Sequence, residues 1–255
     1  MKLDLLAVGA HPDDVELGCG GTLALLARAG REVGIVHLTR GEAGTRGTER
    51  ERRAEAVAAA EVLGAKVMEI VDCGDGRLRH GPAEEDLLIE IVRRYRPDLV
   101  LAPTPSDRHP DHGRAHRLVA DACFYAGLAG RELPGELGAL APHRPAAVLS
   151  YMQHDPFDVS LVVDVSPVWE IKQRALDCYE SQLLADRKEG DGEGDGDDEP
   201  ATKTGSPEFR RTVEGRARHF GLMIGAAYGE PFHSRLPVAV GSADTLMGLL
   251  PGGVR

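Results

Sequence analysis

A chain of 255 residues that is 42% hydrophobic and carries a net charge of −11 can bury a full core. It lacks the basic surface that nucleic acid or an anionic membrane would require. A small-molecule partner is what this balance favours.

Taken in chain order, the first element is the apolar run Leu3 to Ala10, which reads as a buried strand. With one Lys before it and a polar motif straight after, it fits neither a signal peptide nor a membrane span. Val33 to Leu38, Lys66 to Val71 and Asp98 to Ala102 read as three further strands. Between them, Gly21 to Ala29, Glu49 to Leu63 and Glu84 to Tyr95 carry apolar residues at helical spacing, with Gly30 and Gly64 placed as stops. Gly113 to Gly127 reads as a fourth helix. The second half is less regular: strands are expected at Ala146 to Met152 and Leu161 to Val165, and helices at Pro167 to Leu184 and Phe209 to Ala227. Residues 186–207, rich in Gly, Asp and Glu, are expected to form a mobile loop. Inside it, Asp191 to Gly196 imitates the start of a calcium-binding loop, but Thr202 stands where that loop needs a bidentate Glu. The four cysteines, Cys19, Cys73, Cys123 and Cys178, form no C-x-x-C pair, which predicts reduced core thiols and a cytoplasmic protein.

The alternation of strand and helix predicts one α/β domain over residues 1–255, a Rossmann-like, doubly wound and mostly parallel sheet with an irregular C-terminal part. In such a sheet the first and fourth strands are neighbours, and ligands bind beyond their carboxyl ends. Two similar knots of polar residues follow those two strands: His11-Pro12-Asp13-Asp14 and His109-Pro110-Asp111-His112. Each could be a strand-to-helix turn on its own, with Pro12 fixing a bend and Asp14 or Asp111 capping a helix. Together they bring histidines and carboxylates to one place, the ligand set of a catalytic zinc with a position left for water. A carboxylate to spare is then a general base.

These motifs, with Gly18-Cys19-Gly20-Gly21-Thr22, Gly47 to Arg52, Asp107-Arg108, Tyr179-Glu180-Ser181-Gln182, and the run from His219 to Phe232, carry a family resemblance. The chain resembles the LmbE/PIG-L zinc-dependent N-deacetylases, and most of all those of bacillithiol biosynthesis. The resemblance implies that His11, Asp14 and His112 are the zinc ligands and that Asp13 is the general base. It implies that His109 stabilises the oxyanion or acts as acid, oriented by Asp111. It implies substrate contacts from Arg52, and from Arg108 and Gln182 within the shared motifs. A tyrosine that some relatives place near the oxyanion is matched here by Phe209, leaving that role to His109. The implied substrate is a small sugar conjugate, N-acetylglucosaminyl malate, and relatives form homo-oligomers, hexamers among them. Another N-acetylglucosaminide, or the amide of a thiol conjugate, is the alternative substrate.

A dinucleotide-binding oxidoreductase is the rival suggested by Gly18-Cys19-Gly20-Gly21, but its glycines belong in the first turn, which His11 to Asp14 fill. A sugar-binding module would need no base beside its metal. Without the resemblance, Arg52 reads as a solvated charge among Arg50 and Arg53 on a helix.

Overall fold

In the computed structural model, residues 1–134, 140–183 and 204–239 are described. The chain forms strands β1 (Leu5–Gly9), β2 (Val33–His37), β3 (Val67–Ile70), β4 (Leu99–Ala102), β5 (Ala147–Tyr151), β6 (Leu161–Asp164) and β7 (Gly229–Ser234). Its α-helices are α1 (Asp14–Arg28), α2 (Glu49–Leu63), α3 (Pro82–Tyr95), α4 (Pro110–Ala126), α5 (Trp169–Asp177), α6 (Glu180–Leu183) and α7 (Pro207–Met223).

The strands make one seven-stranded sheet in the order β3-β2-β1-β4-β5-β7-β6. The first five are parallel, and β7 runs antiparallel to both β5 and β6. All five β1 residues are buried, because helices cover both faces of the sheet. Leu5 and Ala7 point into the core beneath α1, α2 and α5, while Leu6 and Val8 point into the core beneath α3 and α4. The register pairs Leu5 with Leu99 and Ala7 with Leu101, so β1 and β4 end side by side as the chain order predicts.

α2 spans the expected residues, opened by a reciprocal cap between Thr48 and Glu51 and closed by Gly64 at φ 79°. Elsewhere the boundaries move. α1 begins at Asp14 rather than at Gly21, and α4 begins at Pro110, so Asp111 lies inside the helix and His109 is its N-cap residue. Proline opens α3 and α4 as well, since its missing N–H costs nothing in a first turn. The expected helix Pro167 to Leu184 is a 3₁₀ turn (Ser166–Val168) followed by α5 and α6. β7 is a strand that no periodicity announced. Of the expected loop 186–207, residues 186–203 lie outside the described residues, and residues 204–206 turn into α7. Cys19, Cys73 and Cys123 are buried, Cys178 partly so, and all are free thiols. Among the described residues no helix is long and apolar enough to cross a membrane.

Candidate metal and active site

Both motifs arrive where neighbouring parallel strands stop. The His11, His109 and His112 rings lie 4.7 to 5.6 Å apart by centroid, and each offers a nitrogen within 4.8 Å of the others'. Asp14 sits between two of them. Its Oδ2 lies 3.4 Å from His11 Nδ1 and its Oδ1 lies 3.3 Å from His112 Nε2. The His11 backbone N–H donates to Asp14 Oδ2 at 2.8 Å, which fixes the carboxylate. Two imidazole nitrogens and one carboxylate thus converge.

The outward nitrogens of both rings are backed by further carboxylates. His11 Nε2 faces Asp75 Oδ1 at 3.1 Å and Asp111 Oδ2 at 3.6 Å, and His112 Nδ1 faces Asp107 Oδ2 at 3.4 Å. Metal-ligating histidines are oriented in this way, by an acceptor on the nitrogen that does not bind. The donor set of imidazole and carboxylate suits zinc and related divalent ions. His11, Asp75 and Asp111 form a second buried convergence on the other side of the same ring.

Electrostatics agree with a site built for positive charge. Burial works against ionised His11, yet Asp111, Asp14 and Asp75 outweigh it and hold the imidazolium well above the usual histidine range. Burial is likewise overcome at His112, which Asp14 and Asp107 raise to about 9. Asp14 is held well below the usual carboxylate range, burial notwithstanding, by His112 and His11.

Asp13 is different. Burial raises its pKa to about 7, opposed by the charge of Arg52 and reinforced by that of Asp14. It is held in the left-handed region, φ 107° and ψ −25°, which costs a residue with a side chain on the order of 1–3 kcal/mol. As the residue ahead of α1 it makes no side-chain cap, so its carboxylate is not used up by the helix.

Arg52 explains how that turn is kept. Its guanidinium is buried, donating to Pro12 O and Gly41 O at 2.9 Å each, with Asp13 Oδ2 at 4.0 Å. Gly41, at φ +72°, has no room for a Cβ, which would fall 2.0 Å from the Arg52 guanidinium. The guanidinium thus braces the Pro12–Asp13 turn through two backbone carbonyls, which use two of its five N–H groups.

His109 and Asp111 also differ from expectation. Asp111 Oδ1 accepts from Leu78 N at 3.1 Å and from Arg114 at 2.8 Å, and Oδ2 turns to His11; the carboxylate does not orient the His109 ring. His109 Nδ1 instead accepts from Asp111 N at 3.3 Å, which leaves the proton of a neutral ring on Nε2. Burial and the neighbouring His11 and His112 lower the His109 pKa, against the opposing charges of Asp111 and Asp14.

Of the other expected contacts, Arg108 is exposed on the wall of a cavity of about 320 Å³ that opens beside Asp14 and is lined also by Leu17, Gln153, Phe209 and Arg216. Gln182 on α6 donates to Arg46 O at 2.7 Å and is not among the residues lining that cavity. Phe209, where a tyrosine was sought, faces the cavity with its ring 6.2 Å from that of His154.

Three residues were missed. Gln153, just beyond β5, donates to Asp14 Oδ1 at 2.6 Å and lies 3.1 Å from His112 Nε2. Asp107 backs His112 and also accepts from His154 N at 2.8 Å. Asp75 is delivered by a clasp of two loops, in which Ala43 N donates to Asp75 and Asp75 N to Glu42. Two of them had a signal in the sequence, Asp107 as the acid opening the second polar knot and Asp75 as the acid of Gly74-Asp75-Gly76 beyond the third strand.

Two imidazoles and a carboxylate beyond the ends of neighbouring parallel strands make a donor set that suits a divalent metal ion. Residues 6–123 match the PIG-L family, described as GlcNAc-PI de-N-acetylase. The chain is 34% identical over 192 residues to a diacetylchitobiose deacetylase of Thermococcus kodakarensis, covering 71% of each chain. It is 34% identical over 197 residues to a 4-oxalmesaconate hydratase of Pseudomonas putida, covering 69% of this chain and 73% of the relative. The crystal structure of a conserved protein from Thermus thermophilus superposes with a TM-score of 0.81 at 36% identity, over 94% of this chain and 98% of that one. The chain belongs to the PIG-L/LmbE family of N-deacetylases.

Proposed function

We propose that this enzyme removes the acetyl group from an N-acetylglucosamine-type substrate with the help of zinc held by His11, Asp14 and His112. The observation that carries the reading is Asp14, with one oxygen to each of two histidines and an unspent buried carboxylate, Asp13, next to it. Bound there, zinc would supply Lewis acidity toward the amide carbonyl and acidify water to near neutral pH.

The rest is work for the chain's own groups. Asp13 takes a proton from the attacking water as the new C–O bond forms. His109 Nε2–H donates to the oxygen that gains charge, an effect of the kind worth ~10²-fold or more. The C–N bond then breaks, and the proton held by Asp13 passes to the leaving nitrogen, giving acetate and a free amine. Arg52 holds the Pro12–Asp13 turn, and Asp75, Asp107 and Gln153 keep the histidines and Asp14 in place.

The finer reading of the substrate is N-acetylglucosaminyl malate. It is supported by the motif resemblance and by Arg108, an exposed cation on the cavity wall where a carboxylate of the aglycone would lie. The test is acetate release from a panel holding that malate conjugate, diacetylchitobiose and a neutral methyl glycoside of N-acetylglucosamine. Fastest turnover of the malate conjugate is expected. Release from another member of the panel alone would replace the aglycone, and release from none, with hydration of an unsaturated acid instead, would replace the reaction.

A further inference from the structure

α1 is two helices joined at a break. Its backbone leaves the helical region at Cys19, φ −144° and ψ 16°, so carbonyls before the break and N–H groups after it lose their partners within the helix. A carboxylate from β7 takes the N–H groups. Glu230, 2% exposed, accepts from Gly21 N at 2.9 Å, from Thr22 N at 2.7 Å and from Thr22 Oγ1 at 2.6 Å.

An ammonium takes the carbonyl side. Lys172 on α5, also 2% exposed, donates to Leu17 O at 2.9 Å and to Glu230 Oε1 at 2.5 Å. Arg216 on α7 reaches the same Leu17 O at 3.4 Å and donates to Gln153 O, and the Gln153 side chain bonds to Asp14. Gly21 makes the approach possible, since a Cβ there would fall 2.9 Å from Val165 and 3.0 Å from Glu230 Oε1.

What lies before the break is barely more than one turn, and it carries Asp14, with Asp13 just ahead of it. So short a helix has little more than the bond from Leu17 N to Asp13 O, 2.9 Å, to hold its direction, and whatever grips its end sets where it points. A buried ion pair is a poor means of filling space, because an apolar pair of the same volume packs as well without the desolvation cost. It can, however, terminate two helix ends at once, which an apolar pair cannot.

We propose that Glu230 and Lys172 are positioning residues: together they hold the break in α1 and so aim the Asp13–Asp14 turn at His11 and His112. The role rests on the metal site proposed above, and the test separates the two. Zinc affinity is measured by competition with a chromophoric chelator, alongside kcat and KM for acetate release and thermal unfolding, in the parent, Glu230→Gln, the double variant Lys172→Met/Glu230→Gln, and Thr22→Val. The double variant removes both partners of the ion pair, so neither of the two is left buried without the other. Thr22→Val deletes a single bond to Glu230 and keeps both charges.

Zinc affinity should fall at least tenfold in the double variant and a few fold in Thr22→Val, with kcat reduced more than KM is changed. Folded variants that bind zinc and turn over within twofold of the parent would overturn the positioning role and leave the metal site standing. A parent that binds no zinc would overturn the metal site and the positioning role with it.

Discussion

At the residue scale, the site divides its carboxylates by surroundings. Asp14 is flanked by histidines that keep it ionised, whereas Asp13 is buried with its pKa raised to about 7 and no helix cap to make. Asp13→Asn is nearly isosteric but cannot take a proton, so kcat should fall ~10²-fold or more while bound zinc, measured by elemental analysis, stays stoichiometric. Near-normal turnover would remove Asp13 as the base. Arg52 and Arg108 should part company in the same assay. Arg52→Ala strips charge-assisted bonds from two carbonyls, each worth about 1.5–3 kcal/mol, and should lower kcat/KM on neutral and anionic substrates alike. Arg108→Ala, at the cavity wall, should weaken only the anionic substrate. An Arg52 penalty confined to the malate conjugate would restore it as a substrate contact.

At the element scale, α1 has to pass very close to β5. A Cβ on Gly18 would lie 2.1 Å from the Tyr151 ring, and that ring is fixed, fully buried with its hydroxyl donating to Val8 O at 2.9 Å. Gly18→Ala should therefore destabilise the protein by about 1–3 kcal/mol through overpacking, read as a lower urea midpoint at unchanged m. A midpoint equal to the parent's would mean that Tyr151 can yield. Of the glycines that looked like a dinucleotide fingerprint, Gly18 and Gly21 thus serve close packing and a helix break. Glycine spacing could not reveal this, because the atoms they make room for, Tyr151, Val165 and Glu230, are more than 130 positions away in the chain.

At the scale of the whole molecule, the sheet collects five carboxylates, Asp13, Asp14, Asp75, Asp107 and Asp111, around three histidines, drawn from the ends of β1, β3 and β4. A cation shared by those elements binds the folded state alone, so free zinc at 100 times its Kd should stabilise the chain by about 2.7 kcal/mol. For a domain of this size that is a rise in Tm of roughly 5–10 °C over chelator-treated protein. Unchanged unfolding on removal and return of zinc, with His112→Ala behaving like the parent, would dissociate the metal from these strands.

The order of strands and helices through α4 was legible because each is a continuous apolar run or a helical repeat, and such patterns are local. In the common order of such sheets the end of β1 lies beside the end of β4, which brings the two polar knots together; the choice of His11, Asp14 and His112 among their residues rested on the family resemblance. β7 was not legible: Glu230-Pro231 interrupts its apolar pattern, and its place between β5 and β6 depends on pairing with strands some 65 to 85 residues earlier. The supporting residues were hidden for the same reason. Gln153 lies 139 positions from Asp14, and Glu230 lies 208 from Thr22, single polar residues in segments with no period. The sequence by itself determined which imidazoles and carboxylates stand beyond which strand ends. Only the tertiary structure decided which nitrogen of each histidine faces Asp14, that Arg52 turns inward to brace Asp13, and that Asp111 serves His11 rather than His109. Those choices depend on burial and on donors and acceptors remote in the chain, and local spacing holds no record of them.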